Sequence, residues 1–304
     1  MELRAGGASA TVVEVGAGLR ELAVDGGAVI DGYGPDEPCP SARGSHLIPW
    51  PNRIRQGLYV WDGEQQRLPV NEWSLGNASH GLSRWHVWHL AEHDDARARW
   101  THRLHPSPGY PFLLDLEVDY TLAPDGLAVH VTATNVGRTP APFAYGAHPY
   151  LMAVPTGPSA GPGAQPRAVD GDHLTVPART SLQVDATLVP VGRAPVAGTQ
   201  DSYDGAPIGD RQANTTFTDL ERGSDGLART VLAAGDGSRT VEVWQDEALP
   251  YILAYTGDAI TGRARQSVAI EPMSAPANAF SSGEAVVRLE PGRSWTARWG
   301  ISVR

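Results

Sequence analysis

Apolar and polar residues alternate along much of the chain with the two-residue period of a β-strand. Residues Leu114 to Leu122 alternate without interruption, Pro124-Asp125-Gly126 supplies a turn, and Leu127 to Thr134 resumes the alternation. Such a pattern gives each strand one apolar face, and the short turn brings the two strands side by side. This segment therefore predicts an antiparallel hairpin.

The same pattern of strand, turn and strand recurs elsewhere in the sequence. Further predicted hairpins join Thr11 to Val15 with Leu19 to Val24, Thr230 to Ala234 with Thr240 to Gln245, and Ala285 to Leu289 with Trp295 to Val303. No amphipathic helix of three turns is predicted, and 34 Gly and 25 Pro agree with many turns and little helix. The sequence predicts an all-β fold, a large antiparallel sandwich that forms a single domain over residues 1–304.

One segment lacks this alternation. Met152 to Asp172 is rich in Pro, Gly, Ser and Ala and predicts a long irregular insertion. Because it follows a candidate site directly, we expect it to form part of the rim of that site.

Composition and charge exclude several classes of function. The net charge of -10 disfavours nucleic acid as a partner, since its binding depends on basic patches. No apolar stretch is long enough to span a bilayer, and the first residues lack a basic leader followed by an apolar segment, so a cytoplasmic protein without a membrane partner is expected. The single cysteine, Cys39, excludes an internal disulfide and is interpreted as a passive thiol.

Glu271 is the most informative polar residue of the sequence. It ends the apolar run Val268-Ala269-Ile270 and stands directly before Pro272. Burying a lone carboxylate is costly and raises its pKa toward neutrality, where the group can act as a general base. A carboxylate at a strand end can equally face solvent or pair with an arginine. Glu271 is therefore a catalytic candidate whose strength depends on the residues around it.

Arg53 and two histidines stand among residues that restrict the backbone. Arg53 follows a Pro-rich stretch and precedes Gly57; it can donate paired hydrogen bonds to a ligand or pair with a neighbouring acid to hold its loop. His80 precedes a glycine and His148 precedes a proline. A histidine pKa near 6.5 suits proton transfer, although each ring alone fits a structural or surface role as well.

A third group of histidines, His86, His89 and His93, lies near three tryptophans. The sequence offers no complete set of ligands at zinc-like spacing, so these residues are interpreted as surface or packing residues and no metal site is predicted.

Taken in order, these motifs resemble the aldose 1-epimerases, also called galactose mutarotases. The resemblance spans nearly the whole chain and rests on Asn52-Arg53-Ile54, Leu68 to Glu72, His80-Gly81, Gly146 to Tyr150, and Ala269 to Pro272 with Asn278. It implies a β-supersandwich with a shallow sugar cleft, and neither a metal nor an organic cofactor.

The resemblance also implies a role for each candidate residue. Glu271 matches the general base that takes the proton of the anomeric hydroxyl, and His148 matches the general acid that protonates the ring oxygen. His80 matches a second histidine near the ring oxygen, and Arg53 matches an arginine that binds sugar hydroxyls. Trp244 is a candidate apolar platform for a sugar face, or else a core tryptophan of an alternating strand.

The chain departs from the family pattern at one binding position. The family usually has an aspartate shortly before the mid-chain phenylalanine, here Phe217, and Asn214 stands there instead. If the loop is shifted, Asp210 or Asp219 is the equivalent residue.

Three functions remain open from the sequence. The first is a mutarotase acting on a free aldose such as glucose or galactose. The second is a hexose 6-phosphate epimerase, which needs additional basic residues such as Arg55, Arg84 or Arg103. The third is a non-catalytic sugar-binding sandwich, which should lack the acid or the base. In each case the expected partner is a small-molecule sugar, and the expected assembly is a monomer or homodimer.

Overall fold

The computed structural model of the protein describes residues 1–154 and 167–304. The greater part of the predicted insertion, residues 155–166, lies outside the described residues, so its place at the rim of the site stays a prediction. Within the described ranges the regular structure is almost entirely antiparallel β-sheet.

The strands follow one another closely along the chain. The first ten are β1 Glu2–Ala5, β2 Ala8–Val12, β3 Leu19–Val24, β4 Gly27–Ala28, β5 His46–Leu47, β6 Arg53–Arg55, β7 Leu58–Trp61, β8 Glu64–Arg67, β9 Asn77–Ser79 and β10 His89–His93. The next nine are β11 Arg97–Leu104, β12 Leu114–Ala123, β13 Gly126–Asn135, β14 Ala141–Phe143, β15 Gly146–Ala147, β16 Tyr150–Leu151, β17 His173–Thr175, β18 Ala178–Val184 and β19 Pro190–Pro195. The last are β20 Asp204–Pro207, β21 Asn214–Leu220, β22 Ala228–Ala233, β23 Thr240–Gln245, β24 Tyr251–Tyr255, β25 Val268–Met273, β26 Val287–Leu289 and β27 Ser294–Val303.

Helical structure is short throughout the described ranges. It comprises one α-helix, α1 Ala279–Ser282, and 3-10 turns at Pro40–Ala42, Ser83–Trp85 and Ala168–Gly171. No helix in the described part of the chain has the length and apolar character needed to cross a membrane.

Two large sheets carry the fold. One has nine strands in the order β10-β11-β12-β13-β27-β23-β22-β17-β20, and the other has eight strands that include β19-β18-β21-β24-β25-β15-β5, with β16 also paired to β25. Apolar residues of both sheets, such as Val131 and Val243 of the first and Phe217 and Ile270 of the second, pack in one buried cluster. The prediction of an all-β antiparallel sandwich is confirmed.

Three of the four predicted hairpins are present. β12 pairs with β13 from Leu114 opposite Asn135 to Ala123 opposite Gly126, and β22 pairs with β23. β2 pairs with β3, although the first strand lies three residues earlier than Thr11 to Val15 predicts.

The fourth predicted hairpin is wrong. β26 pairs with β14, whereas β27 pairs with β13 on one side and β23 on the other. The Pro291-Gly292 turn carries the chain from one sheet to another, and the Gly292 amide donates to the carbonyl oxygen of Asn135 at 2.7 Å. An alternating strand pairs equally well with distant partners, so the local pattern does not determine this choice.

Candidate active site

A cleft of about 500 Å³ opens beside the eight-stranded sheet. That sheet contributes Asn214, Leu253, Tyr255 and Glu271 to its lining. Tyr150 of β16 belongs to the same sheet, and the remaining lining residues come from the loops and from the region of β6 and β9: Cys39, Ser41, Ala42, Asn52, Arg53, Asn71, Glu72, Ser79, His80, Arg84, Trp85, His148, Leu188 and Ala259. The fold thus brings all the sequence-predicted site residues together at one cleft, with the exception of Trp244.

Strand pairing places His148 opposite Glu271. β15 and β16 both pair with β25, at Gly146 opposite Met273 and at Tyr150 opposite Ala269. The residues between these two pairs include His148, and its Nε2 lies 3.2 Å from Oε1 of Glu271. Only 5% of His148 and 2% of Glu271 is exposed, so the contact lies at the buried base of the cleft.

The surroundings of His148 hold its ring in place. The His148 ring stacks on the Tyr150 ring, with centroids 5.0 Å apart, and the Arg43 guanidinium lies 4.2 Å from the centroid of Tyr150. The Gly44 amide donates to the His148 carbonyl oxygen at 2.9 Å. Gly44 has φ 65°, and a Cβ there would lie 1.8 Å from the Leu19 carbonyl oxygen, so only glycine fits this approach.

Burial shifts the two catalytic candidates in opposite directions. It raises the pKa of Glu271 to about 8, against the opposing charge of Arg53. It lowers the pKa of His148 to about 3, with a further lowering by the charge of Arg43. These opposite shifts favour a neutral Glu271 carboxyl beside a neutral His148 ring over the charged form of the pair.

Each member of the pair also has a polar atom without a protein partner. Among the described residues, neither Oε2 of Glu271 nor Nδ1 of His148 has a hydrogen-bond partner, although both atoms are buried. Buried polar atoms in proteins are nearly always hydrogen-bonded. Unpartnered atoms at a cleft are therefore the ones to which a ligand would hydrogen-bond.

His80 lies beside this pair. The pairing of β6 with β9 sets Arg53 opposite Ser79, and the His80 amide then donates to the Asn52 carbonyl oxygen at 2.8 Å. The His80 and His148 rings are 5.3 Å apart and nearly perpendicular. Burial, and then the charge of His148, hold the pKa of His80 well below its usual range, so His80 is a neutral ring at the cleft.

Arg53 is both a cleft residue and a member of a fixed ion pair. Its Nε and Nη2 donate to the two Glu72 oxygens at 2.9 and 2.8 Å, and its Nη1 donates to Oδ1 of Asn52 at 3.1 Å. Asn77 holds the same Glu72 carboxylate from Nδ2 at 3.0 Å. The Asn278 amide donates to the Arg53 carbonyl oxygen at 2.5 Å. Two of the motifs on which the family resemblance rests, the one around Arg53 and the one that includes Asn278, therefore lie in contact.

Asn214, and not a neighbouring aspartate, occupies the cleft. It begins β21, pairs with Tyr255 of β24 and is exposed. Asp210 pairs instead with Arg167 at 2.5 Å, and Asp219 accepts a hydrogen bond from a threonine hydroxyl at 2.6 Å. Neither aspartate lines the cleft.

Trp244 does not reach the cleft. It lies on β23 of the nine-stranded sheet, opposite Gly300 of β27, and a Cβ on Gly300 would lie 2.4 Å from its ring. The half-buried indole thus packs over a glycine across the strand pair, away from the cleft. The aromatic side chains at the cleft are Trp85, which is 51% exposed, and the two tyrosines Tyr150 and Tyr255.

Sequence reasoning gave no site role to several of these residues, notably Glu72, Tyr150 and Trp85. Glu72 and Tyr150 were part of the recognised motifs, so their position in those motifs was a usable signal. Trp85 had only its proximity to His80 as a signal, because an exposed tryptophan in a loop has no periodic pattern.

The remaining histidine group lies away from the cleft. His89 and His93 are exposed on β10, and Nδ1 of His86 is 3.1 Å from Nε2 of His102. Over residues 1–154 and 167–304, no three His, Cys, Asp or Glu side chains are arranged to hold a metal ion.

Comparison with known proteins places this site in a family. A model of the aldose 1-epimerase family matches residues 1–302. The uncharacterized Escherichia coli protein YihR is 33% identical over 294 residues, which are 96% of this chain and 89% of YihR. The chain therefore belongs to the aldose 1-epimerase family.

Solved structures share the fold at lower sequence identity. An aldose epimerase homologue from C. elegans superposes with a TM-score of 0.84 at 17% identity, covering 100% of this chain and 98% of that one. Galactose 1-epimerase from Lactobacillus acidophilus superposes with a TM-score of 0.80 at 21% identity, covering 99% and 92%.

Proposed function

We propose that this protein interconverts the α and β anomers of an aldose by reversible opening of the sugar ring. The observation that carries the proposal is the buried contact of 3.2 Å between His148 and Glu271, each with an unpartnered polar atom at the cleft. Two titratable groups of different type in contact can remove one proton and supply another within the same step.

The proposed reaction moves two protons and makes no net change in bonding. The Glu271 carboxylate accepts the proton of the anomeric hydroxyl, whose electron pair forms the C1 carbonyl while the bond from C1 to the ring oxygen breaks. His148 gives its proton to the ring oxygen. After rotation about the C1–C2 bond the steps reverse: Glu271 returns a proton to the carbonyl oxygen and His148 takes one back, which closes the ring to the other anomer.

The opposite pKa shifts of Glu271 and His148 fit this cycle. Ring opening starts with the proton on His148 and ends with it on Glu271, and burial favours the second form. The site therefore favours the protonation state that accompanies the open-chain sugar, which lowers the free energy of that intermediate. The Arg53 charge lowers the pKa of Glu271 and so favours the form needed at the start.

The neighbouring residues take binding roles in this proposal. The neutral His80 ring, with a buried and unpartnered Nδ1, supplies a hydrogen bond near the ring oxygen. Arg53, fixed by Glu72, binds sugar hydroxyls, and Asn214 of β21 supplies a neutral amide at the same cleft. Positioning of this kind holds the reacting atoms in line with the proton-transfer pair.

A coupled assay tests the proposed function. Freshly dissolved α-glucose is mixed with an excess of a dehydrogenase specific for the β anomer, and the rate of β-anomer formation is followed as the protein is added. We expect this rate to rise in proportion to protein concentration. Galactose and acidic aldoses are tested in the same way by polarimetry. The proposal would be overturned if the protein left the rate of anomer exchange at its spontaneous value for all of these sugars.

The pH dependence of kcat/KM should follow the proton shared by the pair. The pair holds one proton between the lowered pKa of His148, about 3, and the raised pKa of Glu271, about 8. We expect a bell-shaped profile, with a plateau at neutral pH and a decline of about tenfold per pH unit above about 8, where the last proton is lost. A value of kcat/KM that stays constant from pH 6 to 9.5, after subtraction of the spontaneous rate, would contradict acid-base catalysis by this pair.

Asn214→Asp should strengthen the binding of neutral sugars. A hydrogen bond to a charged group is worth about twice a neutral one, so we expect KM for glucose or galactose to fall about fivefold while kcat stays nearly constant. Asp210→Asn is the matched control, because Asp210 is exposed outside the cleft, and it should leave both constants unchanged. A KM that is unchanged or raised for both sugars in Asn214→Asp, together with a loss of binding in Asp210→Asn, would show that Asn214 does not contact the substrate.

A further inference from the structure

Arg84 is a cationic residue of the cleft that the proposed mechanism does not use. Two arginines line the cleft, and the other one, Arg53, is paired with Glu72. Arg84 has no carboxylate partner among the described residues, and residues 155–166 contain no Asp or Glu. Its guanidinium lies 4.5 Å from the centroid of the Trp85 ring, and its buried Nε has no hydrogen-bond partner within residues 1–154 and 167–304.

The other charges at the cleft are balanced. The lining acids are Glu72, which pairs with Arg53, and Glu271, which shares one proton with His148 and forms a neutral pair. Arg84 is left as one uncompensated positive charge. Partial burial of this charge is unfavourable and lowers the pKa of Arg84. A bound anion would offset that cost, and the Arg84 charge would in turn stabilise the anion.

Arg84 lies on the histidine side of the catalytic pair. It belongs to the 3-10 turn Ser83–Trp85, which follows His80 closely in the chain, and the His80 ring lies 5.3 Å from the His148 ring, whereas Glu271 lies on β25. In the proposed reaction Glu271 faces the anomeric hydroxyl and His148 faces the ring oxygen. The atom that follows the ring oxygen, away from C1, is C5 with its exocyclic substituent, so Arg84 lies nearest that end of the sugar.

We propose that the preferred substrate is an aldose with one negatively charged acid group, a carboxylate or a sulfonate, on its exocyclic carbon, and that Arg84 binds this group. The inference rests on the proposed function, because the orientation of the sugar follows from the roles of Glu271 and His148. A guanidinium stacked on an indole is fixed in orientation and presents its remaining N–H groups in the fork that acid groups bind.

The charge count favours a singly charged group over a phosphate ester, which carries about -1.5 to -2 at neutral pH. The other arginines considered for a phosphate do not supply the second positive charge. Arg55 pairs with Asp185 and Arg103 pairs with Asp115, each at 2.6 Å, and neither lines the cleft.

The test compares four sugars on three proteins. The sugars are glucose, glucuronate, glucose with a sulfonate in place of its 6-hydroxyl, and glucose 6-phosphate. The proteins are the wild type, Arg84→Gln and the control Arg103→Gln, whose arginine is exposed on the nine-stranded sheet. For each combination, binding is measured by titration calorimetry and anomer exchange by polarimetry, and thermal unfolding confirms that both variants fold.

We expect the wild type to bind and turn over one of the two singly charged sugars at least tenfold better than glucose. That preference should fall by about tenfold to a hundredfold in Arg84→Gln and persist in Arg103→Gln. The comparison of glucuronate with the sulfonate identifies which acid group the site takes.

Each other outcome separates the two proposals. Equal use of glucose and the charged sugars, with no effect of Arg84→Gln on their ratio, overturns the role of Arg84 and leaves the epimerase proposal intact. A preference for glucose 6-phosphate above all others overturns the singly charged substrate. Binding of a charged sugar that depends on Arg84, without any anomer exchange, supports the anion site and overturns the proposed reaction. Absence of binding by all four sugars overturns the anion site.

Discussion

Replacing Glu271 with glutamine is expected to lower the rate of anomer exchange by about a hundred- to ten-thousand-fold. The amide has nearly the shape of the carboxyl group but cannot accept the anomeric proton. Glu271 is almost fully buried and contacts His148 at 3.2 Å, and the other carboxylate that lines the cleft in the described part of the chain, Glu72, is held by Arg53. The measurement is kcat/KM by polarimetry for the best substrate, with Glu64→Gln as a control, since Glu64 is exposed on β8. Near wild-type activity in Glu271→Gln would show that the base is a different group.

The same variant should be folded and more stable than the wild type. The pKa of Glu271 is raised from 4.5 to about 8 in the folded state. Between these two pH values the Glu271 carboxyl is protonated in the folded protein and ionised in the unfolded chain. Wild-type stability therefore falls as pH rises from about 4.5 to 8, and the glutamine variant lacks this fall. We expect a gain in the free energy of unfolding of order 2 kcal/mol at pH 7, larger at pH 8 than at pH 5. Denaturant unfolding at these three pH values checks the trend, and a gain that shrinks with rising pH would contradict it.

Replacing His148 with asparagine should cause a comparable loss, of about a hundred- to ten-thousand-fold in kcat/KM. Asparagine keeps a polar side chain but cannot deliver a proton to the ring oxygen. His86→Asn, His89→Asn and His93→Asn are the controls and should retain wild-type rates, because none of these residues lines the cleft. A large effect in the controls, or a minor effect in His148→Asn, would contradict the assignment of His148 as the acid.

The class of fold was predictable because its strands carry a regular local pattern. β12 and β13 alternate buried and less buried residues over almost their whole length, and a short turn joins them, so both the strands and their pairing were evident. The pairing of β26 with β14 was not evident. It joins residues far apart in the chain, and alternation alone carries no information about which distant strand is the partner.

The proposed catalytic pair was predictable as residues but not as a contact. Glu271 and His148 belong to recognisable motifs, yet their proximity arises because β15 and β16 both pair with β25. The buried, unpartnered atoms of the two side chains and the opposite shifts of their pKa values depend on this tertiary arrangement. A sequence motif gives the chemistry available, and the surrounding packing determines which protonation state is favoured.

The aromatic and cationic residues of the cleft were the least predictable. Trp244 is the sugar-platform candidate in the sequence, but the tryptophan at the cleft is Trp85, because Trp244 packs across Gly300. Likewise Arg55, Arg84 and Arg103 are equivalent candidates until their ion pairs are known, and two of the three are neutralised elsewhere. Whether a charge is compensated depends on residues distant in sequence, so it is visible only in the folded chain.

The most direct test of the proposed reaction is polarimetry on freshly dissolved α-anomers with increasing amounts of wild-type protein. The sugars are α-glucose, α-galactose and the α forms of glucuronate and of glucose with a sulfonate in place of its 6-hydroxyl. We expect the first-order rate constant for the approach to the equilibrium rotation to rise linearly with protein concentration for at least one of these sugars. The same amounts of Glu271→Gln should leave that constant at its spontaneous value. Wild-type protein that accelerates none of the four sugars, or a Glu271→Gln variant that accelerates them as well as the wild type, would contradict anomer exchange by the Glu271 and His148 pair.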